Sequence, residues 1–261
     1  MVKDTILHTL VVALLVCLFC SLMVSVPAVL LKPAQVANAD YNRRVNILLA
    51  AGALERKQVN NKQLVAKLFS QIKESIVNLD TGKISALDPA QFDIKKVLAD
   101  KTLSLVLDKK QDIAGIKRRE NLVKIYTSYK GGKLDKIILP IRGYGLWSTL
   151  YGLIALESDL NTVKGLIFYK HAETPGLGGE VDNIAWQNSW RGKQLFDSRG
   201  KLQLQLIKGG VNTSLAASLQ AHQVDALAGA TLTSRGINNL LTFWFSERGF
   251  NKFLISYKEQ I

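Results

Sequence analysis

Cysteine is nearly absent from this chain of 261 residues, which contains only Cys17 and Cys20. Both lie in one apolar segment near the N-terminus, so the rest of the chain has none. That larger part therefore has no disulfide framework, no thiolate metal site and no cysteine nucleophile. The pattern is compatible with a domain exported from the cytoplasm, and by itself it leaves the compartment open.

Charged residues are missing from Ile6 to Leu31, a stretch of 26 positions rich in Leu and Val. At about 1.5 Å per residue, such a helix crosses a bilayer core of roughly 30 Å with some tilt. The stretch is longer than the apolar core of a cleaved signal peptide, which is about 7–15 residues. It therefore predicts an uncleaved, single-pass anchor, with cleavage near residues 37–39 and lipoprotein processing at Cys20 as the alternatives.

The balance of charge is basic, with 34 Lys and Arg against 21 Asp and Glu and a net charge of +13. The basic residues are scattered and no aromatic residues alternate with them, so no nucleic-acid partner is predicted. Attraction to anionic membrane lipid or to acidic partner subunits explains the charge instead. The distribution of charge does not predict on which side of the membrane the larger part of the chain lies, because large domains are translocated largely regardless of their charge.

Apolar spacing predicts two helices after the anchor, from Pro33 to Leu54 and from Asn61 to Leu79. Further along the chain, strands are predicted at Leu122 to Tyr129, Leu134 to Ile141, Tyr151 to Glu157, Val163 to Tyr169 and Leu202 to Ile207. Two more helices are predicted, at Val181 to Trp190 and Thr233 to Phe245. The fold class is therefore α+β: one N-terminal transmembrane helix followed by a largely antiparallel sheet with flanking helices.

Three glycine-rich stretches, at residues 143–149, 171–180 and 228–234, are the candidate binding loops, since Gly is costly unless the backbone needs it. None of them matches a Walker loop or a Gly-x-Gly-x-x-Gly fingerprint. In the third stretch, Gly229 and Ala230 leave the backbone accessible and Thr231 presents a hydroxyl. The helix that follows favours a phosphate at its start. The alternative is an ordinary helix start with Thr231 or Thr233 as N-cap.

The other two stretches each allow two interpretations. His171 and Glu173 could form a metal or acid/base pair, or simply a polar strand end. Leu177, in a rigid loop after Pro175, could be an apolar platform for a flat ring. Trp147 could stack on the same ring, or it could belong to the core.

The chain resembles a known family through these motifs. Asp225 to Thr231, Asp-x-x-Ala-Gly-Ala-Thr, is similar to the motif in which a flavin transferase joins FMN to Thr through its phosphate. His171 to Gly178 resembles the second signature of the FMN-binding domain family. The resemblance narrows to the C subunit of Na⁺-translocating NADH:quinone oxidoreductases when three further features are included: the anchor, residues 46–52 and residues 145–148. The family usually has Ser or Thr where this chain has Ala228.

The resemblance implies covalent FMN on Thr231 in a bacterial inner-membrane protein whose soluble domain lies on the periplasmic side. It implies an anchor at 1–32, a helical and mixed segment at 33–115 and an FMN-binding domain at 116–261. Asp225 would be read by the flavin transferase. The other residues expected around the cofactor are Gly229, Ala230, Thr233, Trp147, Ser148, Glu173, Thr174, Gly176, Leu177 and Lys208. No metal ligands and no catalytic residues are expected.

The resemblance also implies a role. Electrons would pass from NADH through partner subunits, across this FMN and onward to quinone, coupled to Na⁺ export. The chain alone would neither bind NADH nor pump ions. Its one span has no acidic or basic residue except His8, whereas ion paths usually need several helices and polar groups within the membrane. Two alternatives remain open: the flavin subunit of an Rnf-type ferredoxin:NAD⁺ oxidoreductase, and a membrane-tethered scaffold without cofactor.

Overall fold

The computed structural model describes residues 5–211, 214 and 216–260. The chain divides between Arg44 and Val45 into two compact units. This division differs from the predicted one, because residues 45–115 belong to the same compact unit as the residues after them. The first four residues of the predicted anchor lie outside the described part of the chain.

Helix α1 (Ile6–Ala50) is 45 residues long and includes the whole uncharged stretch. It is long and apolar enough to cross a membrane. The prediction of a separate helix from Pro33 is wrong, because α1 continues through Pro27 and Pro33. Prolines are tolerated in membrane-spanning helices where local adjustments or neighbouring groups satisfy the carbonyls that lose their N–H partners. At its C-terminal end, Ile47, Leu48 and Ala50 are fully buried.

A six-stranded antiparallel sheet forms the centre of the second unit. Its strands are β1 (Ile72–Asn78), β2 (Lys83–Ser85), β5 (Leu122–Lys130), β6 (Lys133–Tyr144), β7 (Thr149–Glu157) and β8 (Val163–Lys170), in the order β2-β1-β5-β6-β7-β8. Gly131 and Gly132 join β5 to β6, and both glycines have positive φ as a tight hairpin requires. The four long strands from β5 to β8 confirm the prediction.

The predicted helix from Asn61 to Leu79 is half wrong. Helix α2 (Lys62–Phe69) ends early, and β1 follows after two residues. Strand β1 pairs along its length with β5, from Ile72 opposite Ser128 to Asn78 opposite Leu122. Pairing with this distant strand outweighs the helical spacing of its apolar residues.

Shorter elements complete the unit. They are α3 (Ile94–Ala99), β3 (Ser104–Val106), β4 (Arg118–Glu120), α4 (Ile184–Asn188), β9 (Gln205–Ile207), α5 (Ala217–Gln220), β10 (Gln223–Asp225), α6 (Thr231–Trp244) and α7 (Asn251–Lys258), with 3₁₀ turns at Arg56–Gln58, Pro89–Gln91 and Gly178–Asp182. Strand β9 is shorter than predicted and pairs in parallel with β10, while β3 pairs with β4. The helix predicted from Val181 begins as the third 3₁₀ turn and continues as α4, whose N-cap is Asn183.

Both faces of the large sheet are covered. On one face lies the main core, which includes Ile237, Leu240 and Leu241 of α6. On the other face, the end of α1 packs against residues of β5, β6, β7 and β8. Gly165 of β8 permits this approach, since a Cβ there would stand 2.5 Å from the carbonyl oxygen of Ala50. Helix α6 packs closely on β6, since a Cβ on Gly143 of β6 would stand 2.8 Å from Cβ of Leu240.

Candidate functional site

The three glycine-rich stretches meet at the start of α6. The first follows β6, the second follows β8, and the third leads into α6 itself. Gly236 of α6 packs against the carbonyl of Tyr144, and a Cβ on Gly236 would stand 3.0 Å from the Cα of Gly145. Segments that are far apart in the sequence therefore form one surface.

The carboxylate of Glu173 joins these three segments. It is buried, with 5% of the residue exposed. Its Oε1 accepts hydrogen bonds from the backbone N–H groups of Leu146 (3.1 Å), Trp147 (3.0 Å) and Ser148 (3.1 Å). Its Oε2 accepts one from the hydroxyl of Thr233, at 2.7 Å. One side chain of the second stretch thus binds both the first stretch and the first turn of α6.

The charge of Glu173 is stabilised where it lies. Burial by itself raises the pKa of a carboxyl group, but the hydrogen bonds donated by Thr233 and by the three backbone N–H groups outweigh it. The pKa of Glu173 is therefore held below its ordinary value. The group is ionised at neutral pH.

The position of this carboxylate explains why two neighbouring residues are glycines. A Cβ on Gly145 would stand 2.6 Å from Oε1 of Glu173. A Cβ on Gly178 would stand 2.5 Å from Oγ1 of Thr233 and 2.8 Å from Oε2 of Glu173. Neither glycine has a positive φ, so close approach, rather than backbone conformation, requires them.

Thr231 is exposed and is the first residue of α6. The N-cap is Ala230, so the alternative in which Thr231 or Thr233 caps the helix is wrong. The preceding turn is well fixed: the N–H of Ala230 donates to the carbonyl of Leu227, whose own N–H donates to Oγ of Ser234 at 3.0 Å. The hydroxyl of Thr231 is thus presented on a rigid turn, while Thr233 is engaged with Glu173.

Gly229 brings the turn before Thr231 against the second stretch. Its φ is +71°, and a Cβ there would stand 3.0 Å from Cδ2 of Leu177. Leu177 itself is 45% exposed, and Trp147 is 66% exposed. The alternative in which Trp147 belongs to the core is therefore wrong. The first and second stretches thus each carry an exposed apolar side chain, and Leu177 lies against the turn that leads to Thr231.

The second stretch is shaped by its own backbone and by His171. The carbonyl of Thr174 accepts hydrogen bonds from the N–H groups of Leu177 and Gly179, and Gly176 has a positive φ. Nδ1 of His171 accepts from the N–H of Glu173 at 3.2 Å, so Nε2 carries the proton and faces Asp182 at 3.0 Å. His171 thus braces the loop. Within residues 5–211, 214 and 216–260, no three potential metal-ligating side chains come together.

Asp225 ends β10, opposite Ile207 of β9. Its Oδ1 accepts the N–H of Val211 at 2.6 Å, and its carbonyl accepts the indole N–H of Trp186 at 2.9 Å. Lys208, which is exposed, follows Ile207 directly and begins the turn that folds back onto this carboxylate. Lys208 and Asp225 therefore lie on neighbouring segments.

Sequence reasoning did not identify Ser234 or Trp186, whose side chains bind the N–H of Leu227 and the carbonyl of Asp225 in the segment that leads to Thr231. A hydroxyl three residues after Thr231 is the signal that could have indicated Ser234. The contact of Trp186 joins residues 39 positions apart, and no local pattern indicates it.

Comparison with known proteins gives consistent results. The FMN-binding domain family matches residues 145–246, which include all of the second and third stretches and most of the first. The C subunit of the Na⁺-translocating NADH-quinone reductase of Pseudomonas aeruginosa is 48% identical over 258 residues, covering 98% of each chain. The protein of the same name from Yersinia pestis is 41% identical, covering 98% of this chain and 95% of that one.

The crystal structure of NqrC from Shewanella oneidensis is also similar, with a TM-score of 0.74 and 36% identity. The match covers 85% of this chain and 99% of that chain. The surface around Thr231 thus lies within an FMN-binding domain, and the chain belongs to the family of the C subunit of the Na⁺-translocating NADH-quinone reductase.

Proposed function

We propose that this chain carries FMN covalently on Thr231, through the phosphate, and relays electrons within a Na⁺-translocating NADH:quinone reductase. The observation that carries the proposal is the exposed Thr231 at the first position of α6, two residues after Gly229, which lies against the exposed Leu177. The N–H groups of the first helical turn favour a phosphate at this position.

The attachment needs a second enzyme and FAD. Oγ of Thr231 forms a bond to the phosphorus on the FMN side of the FAD pyrophosphate, while the bond from that phosphorus to the bridging oxygen breaks. AMP leaves and the hydroxyl proton is released, so no oxidant or reductant is consumed. Asp225 lies in the sequence that we propose the flavin transferase reads. Its Oδ1 is engaged by Val211, which fixes the direction of the side chain.

The residues that would hold FMN fall into three groups: small residues near the phosphate, residues that flank the ring, and polar residues near the flavin. Gly229 and Ala230 give clearance at the phosphate, and Trp147, Leu177 and Thr174 flank the ring. The polar groups proposed nearby are Ser148, Glu173, Gly176 and Thr233, with Lys208 beside the phosphate or the ring. When bound, FMN accepts and donates electrons one at a time, which suits a relay between two redox centres.

The proposed setting is the bacterial inner membrane, with α1 as the anchor and the flavin domain on the periplasmic side. Partners are the other subunits of the complex, the flavin transferase during maturation, and anionic lipid. The chain alone is proposed neither to oxidise NADH nor to pump Na⁺. A C-terminal alkaline phosphatase fusion should be active and a C-terminal green fluorescent protein fusion dark; the reverse result contradicts this orientation.

A denaturing gel under ultraviolet light tests the covalent bond. The full chain, produced with a flavin transferase, should give a fluorescent band that Thr231→Ala abolishes. Thr242→Ala is the matched control, because Thr242 is exposed on the same helix and its variant should stay fluorescent. A dark wild-type band, or a fluorescent Thr231→Ala band, contradicts the proposal.

A further inference from the structure

We propose that Glu173 is the positioning residue of this site. Its carboxylate assembles the segment 145–148, the loop 171–180 and the start of α6 into one frame before any flavin is attached. Its fixed negative charge then makes FMN on Thr231 harder to reduce. The second half of this inference rests on the proposed function, and the first half does not.

The frame depends on the carboxylate of Glu173, which accepts hydrogen bonds from residues that are far away in the sequence. Leu146, Trp147 and Ser148 are 25 to 27 residues from Glu173, and Thr233 is 60 residues away. Three successive backbone N–H groups converge on one carboxylate, as in an anion-binding nest. Without the acceptor these donors lose charge-assisted hydrogen bonds, which are stronger than hydrogen bonds between neutral groups.

The backbone is shaped to admit this carboxylate. Gly145 and Gly178 both lie against it, and a Cβ at either position would collide with one of its oxygens. Ser148 adds a second contact between the first and second stretches, because its Oγ accepts a hydrogen bond from the N–H of Ala172 at 2.7 Å. The first and second stretches are thus held together by bonds in both directions.

The consequence for the cofactor follows from charge. Glu173 is hydrogen-bonded directly to the backbone of Trp147, which is proposed to flank the ring, and to Thr233, which is proposed to lie near the flavin. A fixed anion in this position opposes electron uptake by FMN, because the reduced ring gains negative charge. Lys208, if it lies at the ring, acts in the opposite sense. Glu173 and Lys208 would then set the reduction potential from opposite directions.

The frame is tested on the full chain without flavin, in detergent, from a host without the transferase. Backbone amide exchange at residues 146–148 should become about tenfold faster or more in Glu173→Ala, because the acceptor is lost. Glu180→Gln is the matched control from the same loop, and it should leave this exchange unchanged. Unchanged exchange in Glu173→Ala overturns the frame.

Wild-type protein provides a second measurement, needed if Glu173→Ala does not fold. Because the pKa of Glu173 is lowered in the folded chain, its contribution is complete above the unfolded pKa of about 4.3 and is lost as the pH falls through the lower folded value. After correction for intrinsic rates, exchange at 146–148 should rise in that acid window while the sheet stays protected. Loss of protection in both regions together overturns the frame.

The effect of the charge is tested on the flavin-loaded chain. Glu173→Gln keeps the shape of the side chain and removes its charge, so the midpoint potential of the flavin should become more positive. Glu180→Gln should leave the potential unchanged. An unchanged or more negative potential in Glu173→Gln overturns this half of the inference. Failure of the wild-type chain to acquire FMN would instead contradict the proposed function, and the exchange results would still stand.

Discussion

Gly236 is the residue on which the placement of α6 depends most directly. Alanine is a better helix former than glycine by about 1 kcal/mol, so Gly236→Ala would stabilise an isolated helix. In this fold the added Cβ meets the carbonyl oxygen of Tyr144 and the Cα of Gly145, both of them backbone atoms that cannot rotate away. We therefore expect Gly236→Ala to lower the free energy of unfolding by about 1–3 kcal/mol, measured by urea denaturation with tryptophan fluorescence.

The control for this prediction lies on the same helix. Thr242 is exposed, and its hydroxyl donates to the carbonyl of Asn238 one turn earlier. Thr242→Ala should therefore leave stability unchanged or raise it slightly, by a few tenths of a kcal/mol. Equal stability of the Gly236→Ala chain and wild type would show that α6 can move away from β6, contrary to the packing described.

At the scale of elements, an ion pair links β4 to the large sheet. Nη2 of Arg142, on β6, donates to Oε2 of Glu120 at 2.5 Å and to the carbonyl of Arg118 at 2.8 Å. Both side chains are largely buried, with 15% and 6% exposed. Removing one partner leaves the other charge buried and uncompensated, so Arg142→Met should cost about 3–5 kcal/mol in urea denaturation.

A double-mutant cycle separates the interaction from the burial of each charge. Arg142→Met combined with Glu120→Leu should recover part of the loss, because no lone buried charge remains. The exposed pair Lys57–Glu55 serves as comparison, and Lys57→Met should cost much less than Arg142→Met in the same measurement, because both charges remain in water. Additive losses at Arg142 and Glu120 would contradict a coupled pair.

Elements whose pattern is local were predictable, and elements decided by distant partners were not. The strands β5 to β8 alternate or run apolar between clear turns, and they lie where predicted. Strand β1 has apolar residues at a spacing that also suits a helix, and only its pairing with β5 makes this segment a strand. Pro33 indicated a helix start, yet α1 runs through it, because a proline weakens a helix without always ending it.

The site shows the same division. Thr231, Gly229, Leu177 and Trp147 were chosen from residue type and motif; Gly229 lies against Leu177, and the role of the four residues at a flavin stays a prediction. Glu173 was expected to offer hydrogen bonds near the flavin. Its observed partners are instead protein groups from segments up to 60 residues away, which no local pattern could indicate.

On the scale of the whole molecule, the division between Arg44 and Val45 indicates where the chain can be shortened. A chain that begins at Asp40 keeps Ile47, Ala50 and Ala51, which cover one face of the sheet. We expect it to fold and to unfold cooperatively on heating, with wild-type near-ultraviolet circular dichroism. It also lacks the apolar stretch 6–31, so it should stay in solution without detergent.

A chain that begins at Asn61 should behave differently. It loses Ile47 and Leu48, both fully buried, and uncovers apolar residues of the central strands such as Ile138 and Leu153. Burial of each large side chain contributes about 1.5–3 kcal/mol, and a domain is stable by only about 5–15 kcal/mol. The shorter chain should therefore aggregate, or lose its near-ultraviolet signal, at temperatures where the Asp40 chain is folded. If both chains unfold at the same temperature, the end of α1 is a tether and not part of the core.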